Sequence, residues 1–108
     1  MALDIARLFN EQLPGALARN EKEARTIDAT YQLNITGAGF WHIDLTARGP
    51  RIEAGEKPAD CTVTIAAEDF EKLKENPALG VQLFFSGRLR VSGNRMLGLK
   101  LQKLFSFK

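Results

Sequence analysis

Few residues in this chain could carry out catalytic chemistry. His42 and Asp44 are two residues apart in an alternating segment, so on a β-strand they would share one face, where the carboxylate could orient the imidazole. No nucleophile is evident beside them, and Cys61 belongs to an apolar strand face, where a thiol is usually inert packing. One histidine and one cysteine are too few for a structural zinc site. The sequence therefore predicts no enzyme, no metal site and no cofactor.

The chemistry that the sequence favours is concentrated in its last third. From Asn76 to Lys108 the chain has six basic residues and no acidic one in a strongly apolar background, whereas residues 1–75 contain nine Lys and Arg against thirteen Asp and Glu. Apolar side chains interleaved only with cations suit a protein that binds an apolar ligand beside an anionic head group or surface. A basic face that is merely solvated is the alternative.

Nucleic-acid binding is a further interpretation of this basic segment. Arginines interleaved with aromatic rings suit stacking on single strands. Here, however, the phenylalanines fall at helical, inward-facing positions and not on the strand face that carries Arg88 and Arg90. We therefore predict no nucleic-acid partner.

Alternating apolar residues predict a sheet with one buried face. The pattern indicates strands around residues 31–35, 41–45, 61–65 and 89–91, and a short edge strand around residues 51–53. The sequence Gly37-Ala38-Gly39 between the first two strands predicts a β-hairpin. Because the alternation is one-sided, it favours an antiparallel sheet with helices packed on a single side.

Helical spacing accounts for most of the remaining chain. Residues 3–19 predict a helix that is interrupted or kinked at Pro14, and Glu68 and Asp69 suit the first turn of a helix that reaches Asn76. Residues 78–85 and 95–107 are apolar around most of the helical wheel, so the first of these helices is expected to be buried on all sides or to line a cavity.

Two glycines lie inside these last two helices. Gly80 and Gly98 should each destabilise a helix interior by about 1 kcal/mol relative to alanine. Close packing against a neighbouring element and room for a ligand beside the helix are the two explanations, and the sequence does not choose between them.

The length of 108 residues predicts one domain spanning residues 1–108, large enough to bury about two thirds of its unfolded surface. Cys61 is the only cysteine, so no disulfide can form within the chain, which favours a reducing compartment, the cytoplasm. Charged residues interrupt the apolar residues near the N-terminus, so we expect neither a signal peptide nor a membrane span there.

Several segments together resemble the sterol carrier protein type 2 family. They are residues 84–94 with Asn76-Pro77 before them and Lys100-Leu101-Gln102 after them, residues 59–65 followed by Glu68-Asp69-Phe70, and the hairpin strands 31–37 and 41–45. The resemblance extends from about Thr30 to Leu104. It implies an α+β domain in which a roughly five-stranded, mainly antiparallel sheet is covered on one face by helices that enclose a hydrophobic tunnel. Members bind sterols, fatty acids, fatty acyl-CoA and other lipids without cofactor or catalysis.

The resemblance also implies which residues bind the ligand. The tunnel-lining positions of the family fall on Val81, Phe84, Phe85, Met96, Leu99, Gln102, Leu104 and Phe105. Gln102 is a neutral polar group in an apolar helix and could orient a ligand, or it faces solvent. Trp41 would line the cavity floor, or fill the core with its indole N–H hydrogen-bonded.

Cations near the proposed tunnel are predicted to contact anionic groups. These are Arg88, Arg90, Lys100 and Lys103, facing either the phosphates of a lipid head group or CoA, or an anionic membrane surface. A solvated cationic face is again the alternative.

We therefore predict non-catalytic binding and intracellular transfer of a lipid: a fatty acid, fatty acyl-CoA, phospholipid or sterol-like molecule. Transient contact with an anionic membrane surface is part of this prediction. The alternative is an accessory or regulatory module that presents a lipid or quinone intermediate to partner enzymes. The oligomeric state does not follow from the sequence.

Overall fold

A computed structural model describes residues 4–76, 78–98 and 100. The chain opens with helical stretches: α1 (Ile5–Arg7), a π-helical turn (Leu8–Gln12), α2 (Leu13–Arg19) and α3 (Glu21–Arg25). The π turn precedes Pro14, which has no N–H and whose ring would clash with the carbonyl four residues earlier in a regular α-helix. Leu13 instead donates its N–H to the Leu8 carbonyl. The predicted interruption at Pro14 is confirmed, whereas α3 was not predicted.

Five strands form one sheet in the order β3-β2-β1-β4-β5. Their bounds are β1 (Thr30–Thr36), β2 (Gly39–Asp44), β3 (Arg51–Ala54), β4 (Cys61–Ala66) and β5 (Leu89–Gly93). The central pair β1–β4 is parallel, and the other three neighbouring pairs are antiparallel. The five strands and the mainly antiparallel pairing are as predicted. The parallel pair at the centre of the sheet was not predicted.

The parallel pair follows from the connection between β3 and β4. That connection, residues 55–60, crosses the sheet face opposite the core and is held there by Gln32 of β1. The Gln32 side chain donates to the Gly55 carbonyl and accepts from the Lys57 N–H, each at 3.0 Å. This explains why a polar residue on the open face is itself buried.

The core lies on the other face of the sheet, under the helices. The alternating residues of the strands point into it, as predicted: Tyr31, Leu33, Ile35, Trp41, Ile43, Cys61, Val63 and Ile65 are buried. The π turn and α2 contact β3, whereas α4 (Ala67–Glu75) contacts β1 and β4, and α5 (Leu79–Phe85) contacts β5. A further helical stretch, residues 95–98, follows β5. No helix in the described ranges is long and apolar enough to cross a bilayer.

Candidate functional site

Helix α5 presents apolar side chains on two opposite faces. Leu79 and Leu83, four residues apart, pack on the core. Because each residue turns a helix by about 100°, Val81 and Phe85 lie on the face opposite to them. Val81 is 64% exposed and Phe85 is 81% exposed. The helix is therefore not buried on all sides, which corrects one of the two expectations for it.

Phe84 lies on the flank of α5 between these two faces. Its side chain is 39% exposed, and its ring makes an edge contact with Phe85, with centroids 5.8 Å apart. Phe84 is thus partly covered by the domain and partly open. A surface of this kind suits a ligand that lies along the side of the helix.

The helical stretch 95–98 begins at a capping residue and is joined to the sheet by one buried tyrosine. Asn94 accepts the Met96 N–H through its side chain at 3.0 Å, a typical N-cap contact. The Tyr31 hydroxyl donates to the Leu97 carbonyl at 2.6 Å, and Leu97 is buried. The neighbouring Met96 is 69% exposed. This turn therefore resembles α5 in having an anchored leucine beside an open apolar side chain.

Both helical glycines allow close packing. A methyl group at Gly80 would lie 3.4 Å from Leu73 Cδ1, and one at Gly98 would lie 3.4 Å from Val91 Cγ1. These are ordinary van der Waals contacts that an alanine would also make, so close packing does not by itself account for glycine at the two positions.

Trp41 lies within the core beside the N-terminal helices. Its ring stacks on Phe9 with centroids 4.7 Å apart, and its indole N–H donates to Asn10 Oδ1 at 3.1 Å. These contacts match the core-filling alternative for this residue. Its assignment as a ligand contact remains a prediction.

The predicted cations within the described ranges, Arg88, Arg90 and Lys100, are exposed, and Arg88 forms an ion pair. Arg88 Nη1 lies 3.5 Å from Oδ1 of Asp69, a buried carboxylate in the first turn of α4. Arg90, on β5, and Lys100 are exposed and make no ion pair with the described residues. Since the Arg88 guanidinium has five N–H donors, its contact with Asp69 leaves donors for an external anion.

The pair considered for catalysis is not assembled. Asp44 accepts the Thr46 N–H at 2.9 Å and the Thr46 hydroxyl at 2.6 Å. Partial burial would raise the pKa of Asp44, but these hydrogen bonds, with nearby His42 and Arg48, hold it below its ordinary value. Burial, with a smaller effect of Asp60, raises the pKa of the Cys61 thiol, which disfavours a nucleophilic thiolate. In the described part of the chain, no three His, Cys, Asp or Glu side chains are grouped to hold a metal ion.

The remaining predicted site residues lie outside the described ranges. They are Leu99, Gln102, Lys103, Leu104 and Phe105. Sequence reasoning missed the Tyr31–Leu97 and Asn94 contacts. Asn94 could have been identified, because asparagine directly before an apolar helix is a common cap. The partner of Tyr31 could not, because it is 66 residues away in the chain.

The family model described as the SCP-2 sterol transfer family matches residues 9–106. The chain belongs to this family. Among curated relatives, hydroxysteroid dehydrogenase-like protein 2 of Rattus norvegicus is 33% identical over 91 residues, which are 81% of this chain and 17% of that protein. The chain thus spans about a fifth of the length of these curated relatives.

Solved structures share the fold of this family. The solution structure of Sterol Carrier Protein-2 from Aedes aegypti in complex with palmitate superposes with a TM-score of 0.74 at 18% identity and covers 100% of both chains. The ubiquinone synthesis protein UbiJ-SCP2 gives a TM-score of 0.68 at 23% identity, covering 87% of this chain and 82% of the other. At these identities the likeness establishes the fold, which agrees with the predicted class.

Proposed function

We propose that this domain binds a lipid by its acyl chain and transfers it, without catalysing a reaction. The main observation behind the proposal is the open apolar surface of α5 and Met96, in a third of the chain that has cations and no acidic side chain. Such a surface matches a molecule with an apolar chain and an anionic head group. The palmitate complex of the Aedes aegypti protein supports this choice of ligand class. A cytoplasmic location is part of the proposal and depends on the single cysteine alone.

The absence of catalysis is supported by the state of the reactive groups. Asp44 accepts two hydrogen bonds from Thr46, and the Cys61 thiol is buried and has a raised pKa. The described residues therefore offer neither an oriented imidazole–carboxylate pair nor an activated thiolate. In the relatives with a dehydrogenase-like name, this domain corresponds to about a fifth of the protein, so an activity of the whole protein could reside in another part.

A second candidate function, that of an accessory module, is favoured because this chain corresponds to only a small part of its longer curated relatives. A domain that forms part of a longer protein could hold a lipid or quinone for a partner enzyme. The fold shared with UbiJ-SCP2, a ubiquinone synthesis protein, supports this alternative. The two functions differ in whether the domain alone retains a ligand.

Native mass spectrometry of the freshly purified protein, followed by organic extraction, tests the proposal. We expect a co-purifying fatty acid or phospholipid, or stoichiometric uptake of added palmitate. The carrier function would be contradicted if the purified domain carried no lipid and bound palmitate only in the presence of a partner enzyme. That result would support the accessory function.

Phe84 provides a variant for this test, with a matched control. Phe84→Ser should weaken palmitate binding about tenfold, because contact with one phenylalanine contributes about 1.5 kcal/mol or more. Phe40 is similarly exposed, at 47%, but lies on β2, outside α5 and the 95–98 turn, so Phe40→Ser should leave binding unchanged. Equal affinities in the two variants, measured by titration calorimetry, would exclude the α5 flank as the binding surface.

A further inference from the structure

The buried carboxylate of Asp69 has one charged partner among the described residues, Arg88. Asp69 lies in the first turn of α4, its side chain is 6% exposed, and its Oδ1 is 3.5 Å from Arg88 Nη1. Burial of a carboxylate is unfavourable unless a partner compensates it, so Asp69 depends on Arg88. The Arg88 side chain is 60% exposed, however, and an ion pair open to water contributes little to the stability of a whole domain. A local role therefore fits this pair better than a global one.

The ion pair closes the open end of a hairpin formed by α4 and α5. The two helices are separated in the chain by residues 76–78 only, so the backbone joins them at one end. Near that end they are in contact, since a methyl group at Gly80 would lie 3.4 Å from Leu73 Cδ1. Asp69, near the start of α4, and Arg88, just after the end of α5, link the helices at the other end.

Backbone hydrogen bonds couple Arg88 to the last turn of α5. The Gly87 N–H donates to the Phe84 carbonyl at 3.2 Å, and the Arg88 N–H donates to the Leu83 carbonyl at 2.9 Å. Together with the positive φ of Gly87, +79°, these bonds form the Schellman arrangement that ends many helices. The ion pair with Asp69 therefore restrains the same turn that carries Phe84.

We propose that Asp69 and Arg88 form a positioning pair that holds the last turn of α5 where Phe84 contacts the acyl chain, an inference that rests on the proposed lipid-binding function. In this role Arg88 acts through α5 and not on the ligand. Loss of either charge would let the end of α5 move away from α4, which would weaken the contact with the acyl chain. The alternative is that Arg88 contacts the head group directly, through the donors that Asp69 leaves free.

Two ligands with the same chain, palmitate and the uncharged 1-hexadecanol, distinguish these roles. We expect Asp69→Asn and Arg88→Gln each to weaken binding of both ligands about fivefold, because both ligands use the contact with Phe84. The double variant should bind no more weakly than either single variant, because each substitution removes the same interaction. It also lacks the unpaired buried charge that Arg88→Gln alone leaves behind. Arg88→Lys keeps a cation and should restore most of the affinity.

Amide exchange of the ligand-free protein tests the pair without any ligand. We expect exchange to accelerate in α5 in both single variants and to stay unchanged in β1. A matched control is Arg51→Gln, which removes an exposed ion pair of 3.1 Å with Glu53 on the edge strand β3. This control should change neither ligand binding nor exchange in α5.

Each contrary result has a distinct meaning. Equal acceleration in α5 and β1 would overturn the proposal, because the pair would then serve global stability. Weaker binding of palmitate alone in Arg88→Gln would overturn it in favour of direct contact with the head group. Variants that bind both ligands like the original protein refute the positioning pair and leave the proposed function intact. An original protein that binds neither ligand refutes the proposed function, whereas acceleration confined to α5 would still support the pair as the anchor of that helix.

Discussion

Tyr31 joins the central strand β1 to the 95–98 turn through a single buried hydrogen bond. Tyr31→Phe keeps the ring but leaves the Leu97 carbonyl without this donor, so we expect a loss of about 1–2 kcal/mol in the free energy of unfolding. Amide exchange should accelerate at residues 95–98 more than in β1. Uniform acceleration across the domain would show that the bond contributes to global stability without fixing this turn.

The same tyrosine makes stability depend on alkaline pH. Burial, and to a smaller extent the neighbouring Cys61, raises the pKa of Tyr31 above its ordinary value of 10.0, and burial also raises the pKa of Cys61 above 9.0. The unfolded chain therefore loses these protons first, so the stability that they contribute is complete below pH 9 and falls as pH rises further. Above pH 10, Tyr31→Phe should lose stability less steeply in urea unfolding, by up to about 1.4 kcal/mol per pH unit. Identical slopes in the two proteins would contradict the raised pKa.

At the scale of elements, the sequence was sufficient to predict the strands of the sheet and their buried face. It was not sufficient to predict which face of each helix packs on the core. Period-two alternation placed Tyr31, Trp41 and Cys61 on one buried face, and the glycine turn placed the hairpin, because both signals are local. The parallel β1–β4 pair depends on residues 55–60 crossing the sheet, a long-range feature in which Gln32 holds the connection by two hydrogen bonds. The residues of α5 are apolar on all sides of the helix, so the sequence does not identify the face that packs on the core. The outward position of Phe85 could therefore be seen only in the structure.

The junction of β5 with the following helix depends on Gly93. Its φ is +83°, and a methyl group there would lie 2.4 Å from the Asp60 carbonyl oxygen. Gly87 has a similar φ of +79°, but no atom of the described residues lies within 4 Å of an added methyl group, which makes it a matched control. Gly87→Ala should cost about 1 kcal/mol from backbone strain alone, and Gly93→Ala about 3 kcal/mol or more, measured by urea unfolding. If both variants lose the same free energy of unfolding, the loop around Asp60 must shift to accommodate the new side chain.

Charge is divided unevenly along the whole molecule, with an acidic excess before residue 76 and cations without carboxylates after it. If the basic third meets the head group of the ligand, the affinity should rise with the charge of that head group. Palmitoyl-CoA, which carries several phosphate charges, should then bind more tightly than palmitate at low salt.

Salt separates this electrostatic contribution from binding of the acyl chain. Raising NaCl from about 0.05 to about 0.5 M shortens the screening length several-fold, so palmitoyl-CoA should lose about tenfold in affinity while palmitate, with a single charge, loses much less. Displacement of a fluorescent fatty acid measures both ligands on the same protein. Equal affinities with equal salt dependence would show that the cations do not meet the head group. In that case the basic third would serve only contacts made outside the ligand site, because the acyl chain alone would account for the binding.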